Sequence, residues 1–520
     1  MIYDVVIAGA GPAGITLALE LSRAGLRIAL LESGGEAFDP DTQALYDGEV
    51  TGNDAFDLTA IRLRMLGGTT NHWGGHCLPM DEIDFRRRPL NGMSGWPFDR
   101  ATLLPYYARA HDWLRIGPFD YGRDIGAGLR ERDFLLPNEA RLETVPLRLA
   151  RGPLRFGDAY GEALAGASNI DLQLHSNVTG LALDGDDRMA GVEVAGLDGS
   201  RRRIEGRAVV LACGAVETAR QIMLANAAHG RSFGDAGGLL GGCYMDHPTA
   251  GAGFLHLAEP TPVKAYWNFG VESAEGTPLR YLWRLSDAAL EAEGLVNAQF
   301  FLIPLSDDSA ERAREREARR ADRALRSIAK WATGRPDRGF QLSQAYCDFI
   351  TNADSFAAQT WTDTVHGGTR ARRLLLKFES EELPEPSNRV TLTDRRDALG
   401  LPLPALHWVP GATERDSMIR SATLIGQIAG AAGLGRMELE DYDRPFWGTT
   451  TSWHQLGTTR MAANPREGVV DPDCRVHGTR NLYVASGAVM PTNGRANPTL
   501  TILALTIRLA DHLKAEVPAL

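Results

Sequence analysis

Cysteine is scarce in this chain, and what there is stands apart. The 520 residues hold five cysteines, Cys77, Cys213, Cys243, Cys347 and Cys474, scattered and odd in number. Such spacing excludes a disulfide framework, a cysteine zinc knuckle and c-type haem attachment, all of which need close pairs. Positive charge is also in deficit. With 55 Lys and Arg against 66 Asp and Glu, the net charge is −11, and no basic stripe interrupts it. Nucleic acid is therefore not an expected partner. No uninterrupted apolar run is long enough to span a bilayer. No export signal precedes the first strand, because MIYDVVIAGAG begins structure almost at once; a soluble, cytoplasmic protein is expected. Internal repeats and low-complexity tracts are missing as well. The sequon Asn177-Val178-Thr179 reads as a piece of strand.

What is present is ordinary globular composition, 44% hydrophobic and 23% charged. A chain this long exceeds one core, so two domains are expected. Residues 3–8 (YDVVIA) form a continuous apolar run, the pattern of an interior parallel strand. A glycine turn follows, then a helix from about Ile15 to Ala24 stopped by Gly25, and a strand LRIALLE ending at Glu32. Gly9, Gly11 and Gly14 make a GxGxxG turn between strand and helix. The first glycine permits the tight turn, the second lets backbone approach a pyrophosphate, and the third lets helix and strand pack closely. The helix N-terminus offers amide donors to a diphosphate, and Glu32 offers acceptors to ribose hydroxyls. With strand, helix and acid in register, a dinucleotide site is expected rather than a purely structural turn, although the motif does not separate FAD from NAD.

Residues 140–220 alternate apolar and polar positions between Gly/Asp turns, as strands in hairpins do, and AVVLACGA then leads into a helix VETARQIMLANA. The strand in TRNLYVASGAVMP leads through NGRANP into the helix TLTILALTIRLADHL. Three segments, 1–80, 140–249 and 448–520, are therefore expected to build one nucleotide-binding domain, with 81–139 and 250–447 inserted as a substrate domain. The run SAERAREREARRADRALRSIAK, with closely interleaved signs, reads as a solvated helix.

The stretch RMLGGTTNHWGGHC (64–77) carries four glycines, so its backbone can lie directly against a cofactor. Reading His72, His76 and Cys77 as metal ligands lacks a second cluster to complete the sphere, and no metal is expected. Near the C-terminus, His454 in TSWHQLGTTRM and Asn497 in GRANPTLTI form a candidate acid–base pair. Imidazole, with an ordinary pKa of ~6.5, is available as a base near neutrality.

Taken together, AGAGPAG with Glu32, LGGTTNHWGG, AVVLACGAVETA, HQLGTTRM and NLYVASGAVMPTNGRANPTLT resemble the glucose–methanol–choline (GMC) family of flavin oxidoreductases, in the family's order. The resemblance covers both ends and the middle of the chain. It implies an α/β and α+β fold: a Rossmann-like FAD-binding domain of the glutathione-reductase type with an inserted substrate domain on an antiparallel sheet. It implies FAD as cofactor and a hydride passed to it from an alcohol. It places His454 at the catalytic histidine and Asn497 at the second position of the pair. It places Val178 at the adenine through its backbone, Gly67, Gly68 and Asn71 along flavin and diphosphate, and Ala488, Val489 and Pro498 near the isoalloxazine, with Thr499 also among the cofactor-binding residues. Ser486 departs from the acid or glycine that many members carry. GGTTNHW is similar to the segment in which pyranose oxidases join a histidine to the flavin, which leaves a covalent bond through His72 open. GWPFDRATLLPYYARA and LGGTTNHWGG look closest to pyranose-oxidase-like and glycoside-3-oxidase-like members, so a sugar or glycoside is the implied substrate, with O₂ or another electron acceptor; a non-sugar alcohol, or a role as flavin subunit of a dehydrogenase complex, is the alternative. Trp73, Trp267 and Trp447 could stack on a pyranose, with core packing as the plainer reading. The oligomeric state stays open.

Overall fold

Val5, Val6 and Ile7 have no exposed surface, and the strand they occupy, Ile2–Ala8, is the spine of a parallel sheet covered on both faces. The computed structural model describes residues 2–305, 370–439 and 450–519, apart from 54–56, 91, 94, 138 and 268, together with residues 321 and 324. Most of the charged run at 309–330, as well as Cys347 and Trp447, lies outside the described residues.

Ile2–Ala8 pairs in parallel with Ile28–Leu31 on one side and Arg201–Leu211 on the other, and Ile170–Gln173 extends the sheet beyond Ile28–Leu31. The long strand Arg201–Leu211 serves two further neighbours. Residues 201–205 pair antiparallel with Arg188–Ala195, and residues 209–211 pair in parallel with Leu482–Val484. Asn177–Asp184 closes a hairpin with Arg188–Ala195. The expected helices run Pro12–Ser22, Gly214–His229 and Thr499–Glu516. Their first residues, Pro12, Gly214 and Thr499, all reach one cavity. That cavity lies at the carboxyl edge of the parallel strands, where open α/β sheets hold their ligands.

Among the described residues, a second sheet has nine strands in antiparallel array. Gly435–Leu439, Pro248–Pro262, Arg370–Ser380, Ala298–Leu305, Pro278–Leu285, Leu142–Leu149 and His76–Cys77 follow one another across it. Residues alternate between its faces, as the pleat requires. Leu374, Leu376 and Phe378 join Phe300, Leu302, Tyr281 and Trp283 in a core under the helix Ala412–Ala431. Lys377 and Glu379, on the opposite face of the same strand, reach the cavity.

Four segments sit elsewhere than the sequence suggests. Leu142–Leu149 and His76–Cys77, expected in the nucleotide-binding part, are strands of the antiparallel sheet. Alternation marks a strand but does not name its partner, and that is the physical reason. Glu49–Thr51 pairs in parallel with Pro402–His407 in a small three-stranded sheet completed by Arg389–Arg396. The helix Arg100–Leu114, expected with the substrate part, packs on Thr499–Glu516 instead. Its Leu103, Tyr107, Ala110 and Leu114 share the core of the parallel sheet, and Tyr107 Oη lies 3.0 Å from Thr501 Oγ1.

Candidate active site

The glycine turn is built by crowding on one side and openness on the other. Gly9 has φ +105°, and a Cβ there would lie 2.6 Å from the carbonyl oxygen of Ala212. At Gly14 a Cβ would meet the Gly9 carbonyl oxygen at 1.9 Å, so only glycine lets helix and strand approach this closely. A Cβ on Gly11 would meet nothing within 4 Å. Gly11 is the member of the three that, with Gly9, faces the cavity. The second glycine segment lies directly on the first. Gly67 N donates to Ala10 O at 2.9 Å, and a Cβ on Gly68 would come within 3.0 Å of Gly11 Cα.

Glu32 is 5% exposed, and its carboxylate accepts the Ala10 and Gly34 amides, each at 2.9 Å. It therefore clamps the glycine turn to the end of the second strand while reaching the cavity wall. Val178 is beside it on that wall, with its carbonyl accepting Gln221 Nε2 at 3.0 Å. The cavity has a volume of about 500 Å3.

His454 and Asn497 line the same cavity. Asn497 is 6% exposed, and its Oδ1 is buried without a hydrogen-bond partner. A buried acceptor left unpaired costs about 1–3 kcal/mol, so the wall expects a donor from a bound molecule. Its loop is pinned on both sides. Asn493 Nδ2 donates to Asp246 O at 2.6 Å, and Arg495 grips Asp81 through Nε at 2.6 Å and Nη2 at 3.0 Å. Trp453, just before His454, is a non-glycine residue at φ +61°. Backbone strain of that kind persists only where the surroundings enforce it, and here it immediately precedes the imidazole.

Two residues that the sequence reading did not single out complete the site. The Asp246 carboxylate accepts the His247 amide at 2.7 Å, the His454 amide at 3.0 Å and Thr451 Oγ1 at 3.1 Å. Burial pushes that carboxyl up to about 7, against the pull of the two amides. The His454 and His247 rings meet Nδ1 to Nδ1 at 2.9 Å, nearly perpendicular at 85°. Burial first, then the His247 and His76 rings, hold His454 well below the ordinary imidazole value. Burial likewise lowers His247. The signal that was there to read is MDHP after a double glycine, an acid and an imidazole opening a strand.

Asp246, His247 and His454 each present one possible metal-ligand atom within 4.8 Å of the others. Their arrangement is that of a hydrogen-bonded cluster. Two imidazole ligands of a tetrahedral zinc at ~2.0–2.1 Å would stand ~3.3 Å apart, and every Asp246 bond above would compete with the ion.

Of the expected site residues, Gly9, Gly11, Glu32, Gly68, His72, Val178, His454, Asn497, Pro498 and Thr499 line the cavity. Five do not. Gly14 acts through packing, as described. Gly67, at φ +90°, backs onto Gly157, and Asn71 Nδ2 donates to Leu66 O at 3.0 Å and Gly68 O at 2.9 Å, bracing the loop from behind. Ala488 and Val489 lie behind Ala485, Ser486 and Gly487, with their carbonyls accepting Thr459 N at 3.0 Å and Met461 N at 2.8 Å. Trp73 lines the cavity with Nε1 bonded to Leu154 O at 2.8 Å, whereas Trp267 flanks Arg280. A nucleotide with a flavin ring fits this lining: an open backbone face at Gly11, three helix starts, an acid at the ribose position and an orphaned acceptor at Asn497.

Residues 384–506 match the family described as GMC oxidoreductase, and residues 2–45 match an FAD binding domain. The chain is 24% identical to 2-methyl-1,2-propanediol dehydrogenase of Mycolicibacterium austroafricanum, over 98% of this chain and 95% of that protein. It is 24% identical to the fructose dehydrogenase large subunit of Gluconobacter japonicus, over 98% and 97% respectively. It is 25% identical to C-glycoside 3-oxidase of Microbacterium trichothecenolyticum, over 92% and 81%. Among solved structures, pyridoxine 4-oxidase from Mesorbium loti superposes with a TM-score of 0.58 at 19% identity, covering 98% of this chain and 99% of that one, and shares the fold.

Proposed function

We propose that this chain, in which residues 384–506 match the GMC oxidoreductases and residues 2–45 an FAD binding domain, oxidises a hydroxyl of a sugar or glycoside to a carbonyl, with His454 as base and Asn497 orienting the alcohol oxygen. The observation that carries this reading is the meeting of His454 and Asn497 with Gly11 and Glu32 on one cavity wall.

Gly9 and Gly11, the helix starts at Pro12 and Thr499 and the Glu32 carboxylate would hold the FAD. When bound, FAD supplies the hydride acceptor. The rest of the work falls to side chains. Neutral imidazole at His454 takes the hydroxyl proton as the carbon–hydrogen bond is lost, and a depressed pKa keeps it neutral into mild acid. The Asn497 carboxamide turns to hydrogen-bond the alcohol oxygen, which fixes the carbinol carbon in place. Lys377 and Glu379, on the sheet face opposite, offer one donor set and one acceptor set to further hydroxyls. That polarity, with the likeness to a fructose dehydrogenase and a C-glycoside 3-oxidase, supports a polyhydroxylated substrate. The likeness to 2-methyl-1,2-propanediol dehydrogenase favours a small non-sugar alcohol as the second reading. O₂ or another electron acceptor completes the turnover, and the fructose dehydrogenase likeness, to a large subunit, keeps a partner subunit among the candidates.

Anaerobic mixing of the purified flavoprotein with sugars, glycosides, branched diols and aryl alcohols tests this directly. Loss of flavin absorbance with a sugar or glycoside is expected. Bleaching by a diol or aryl alcohol alone would move the assignment to the second reading, and no bleaching by any alcohol would overturn both. His72 lines the cavity within 6.4 Å of the Trp453 ring, centroid to centroid; acid precipitation that leaves the yellow colour in the pellet for the wild type, but not for His72→Ala, would join it to the cofactor.

A further inference from the structure

His247 has no exposed surface, and both of its ring nitrogens are engaged. Nε2 lies 3.1 Å from the Gly494 carbonyl oxygen, and Nδ1 lies 2.9 Å from His454 Nδ1. A carbonyl can only accept, so His247 Nε2 carries a hydrogen. A neutral imidazole protonated at Nε2 has its lone pair at Nδ1. Two nitrogens 2.9 Å apart need one hydrogen between them, and His247 cannot supply it. His454 Nδ1 is therefore the donor, and its Nε2 is left with the free lone pair. Burial keeps both rings neutral, which is the state this reasoning requires.

We propose that His247 is a positioning residue: through the Gly494 carbonyl, it fixes His454 in the Nδ1–H tautomer and so makes Nε2 of His454 the atom that receives the substrate proton. This rests on the reading of His454 as base. In the step, the alcohol O–H bond breaks and a new N–H bond forms at His454 Nε2, while the hydride from the carbinol carbon leaves to FAD. His454 Nδ1–H keeps its bond to His247 throughout, and that bond becomes charge-assisted once the His454 ring is protonated.

The surroundings hold the relay in register. The Asp246 carboxylate binds the backbone amides of both histidines. Asn493 ties the loop bearing Gly494 to the Asp246 carbonyl. A Cβ at Gly494 would press within 2.3 Å of Asp84 Oδ2, so this loop sits where only glycine fits. One short loop thus presents both Asn497 to the cavity and the carbonyl that sets the tautomer.

The test has two arms. In holoenzyme with 15N-labelled histidine, long-range proton–nitrogen spectra are expected to show His454 protonated at Nδ1 and bare at Nε2, with assignment by the loss of its signals in His454→Gln. The opposite tautomer overturns the proposal, as does stoichiometric metal in the purified holoenzyme. In the second arm, His247→Leu is expected to slow flavin reduction by ~10²- to 10⁴-fold, the range between loss of a general base and a base held in the wrong tautomer. The substrate dissociation constant should stay nearly fixed. His247→Asn places an acceptor oxygen near the Nδ1 position and should recover roughly tenfold or more of that loss. A purely packing role would give no such rescue. If His454→Ala is impaired while His247→Leu reduces at the wild-type rate, the tautomer control is wrong and the base stands. If His454→Ala itself reduces normally, the base reading has failed first. Should His247→Leu not fold, the spectra of the wild-type holoenzyme still decide.

Discussion

The two halves of the cavity wall are made by opposite means. On one side, Gly9, Gly11 and Gly68 act by having nothing to offer but backbone, and the space beside Gly11 is what the cofactor needs. On the other, His454 and Asn497 act through side chains, and His454 depends in turn on Asp246 and His247 behind it, more than two hundred residues away in sequence. A wall built from missing atoms is specified locally and fails abruptly. A wall built from a hydrogen-bond chain is specified over long range and fails by degrees.

Substitutions can break that contrast, beginning where the effect is largest. Gly14→Val should abolish FAD binding or soluble expression outright, because its Cβ alone would overlap the Gly9 carbonyl; flavin absorbance per mole of purified protein is the measure. His454→Ala should retain FAD yet slow flavin reduction by ~10²-fold or more in anaerobic stopped flow, the scale of a lost acid–base group. Asn497→Ala should follow at about 10²-fold, the scale of losing one preorganised donor to a developing oxyanion. Wild-type rates in both variants would leave the side-chain wall without a role. Asn71→Ala loses two bonds that brace the glycine loop from behind, and should lower stability by about 1–2 kcal/mol in urea melts without altering the reduction rate.

The pH dependence sharpens the same contrast. His454 and His247 are both held below their ordinary value when folded. The base form of His454 therefore survives through pH 6.5, and the reduction rate should stay level there and decline only at lower pH. Stability takes the matching sign. Below ~6.5 the unfolded chain binds protons that the folded imidazoles refuse, so stability is full above that pH and drains away as pH falls towards the depressed values. A reduction rate that halves at pH 6.5 would mean an unperturbed, solvated imidazole.

The glycine wall was legible because strand, turn, helix and Glu32 lie within one short segment and each glycine answers to a local geometric demand. His454 and Asn497 were legible only as a pair of residue types in familiar surroundings; their convergence needed coordinates. Asp246 and His247 were passed over because an isolated Asp-His in sequence carries no period and no spacing rule. What makes them functional is the contact with a loop that arrives from the far end of the chain. Leu142–Leu149 shows the same limit on the fold: its alternation was plain, yet nothing local says which of two sheets it joins.

The division of labour along Arg201–Leu211 has a consequence for biogenesis. Its last residues wait for Leu482–Val484, which leaves the ribosome long after them. Until that partner arrives, the parallel sheet has an open edge at the very place where the cofactor crevice forms, and the most distant pairings are the slowest to close. Nascent chains stalled before residue 480 should therefore capture no flavin, and cofactor loading should be a post-release event that rewards a complete polypeptide.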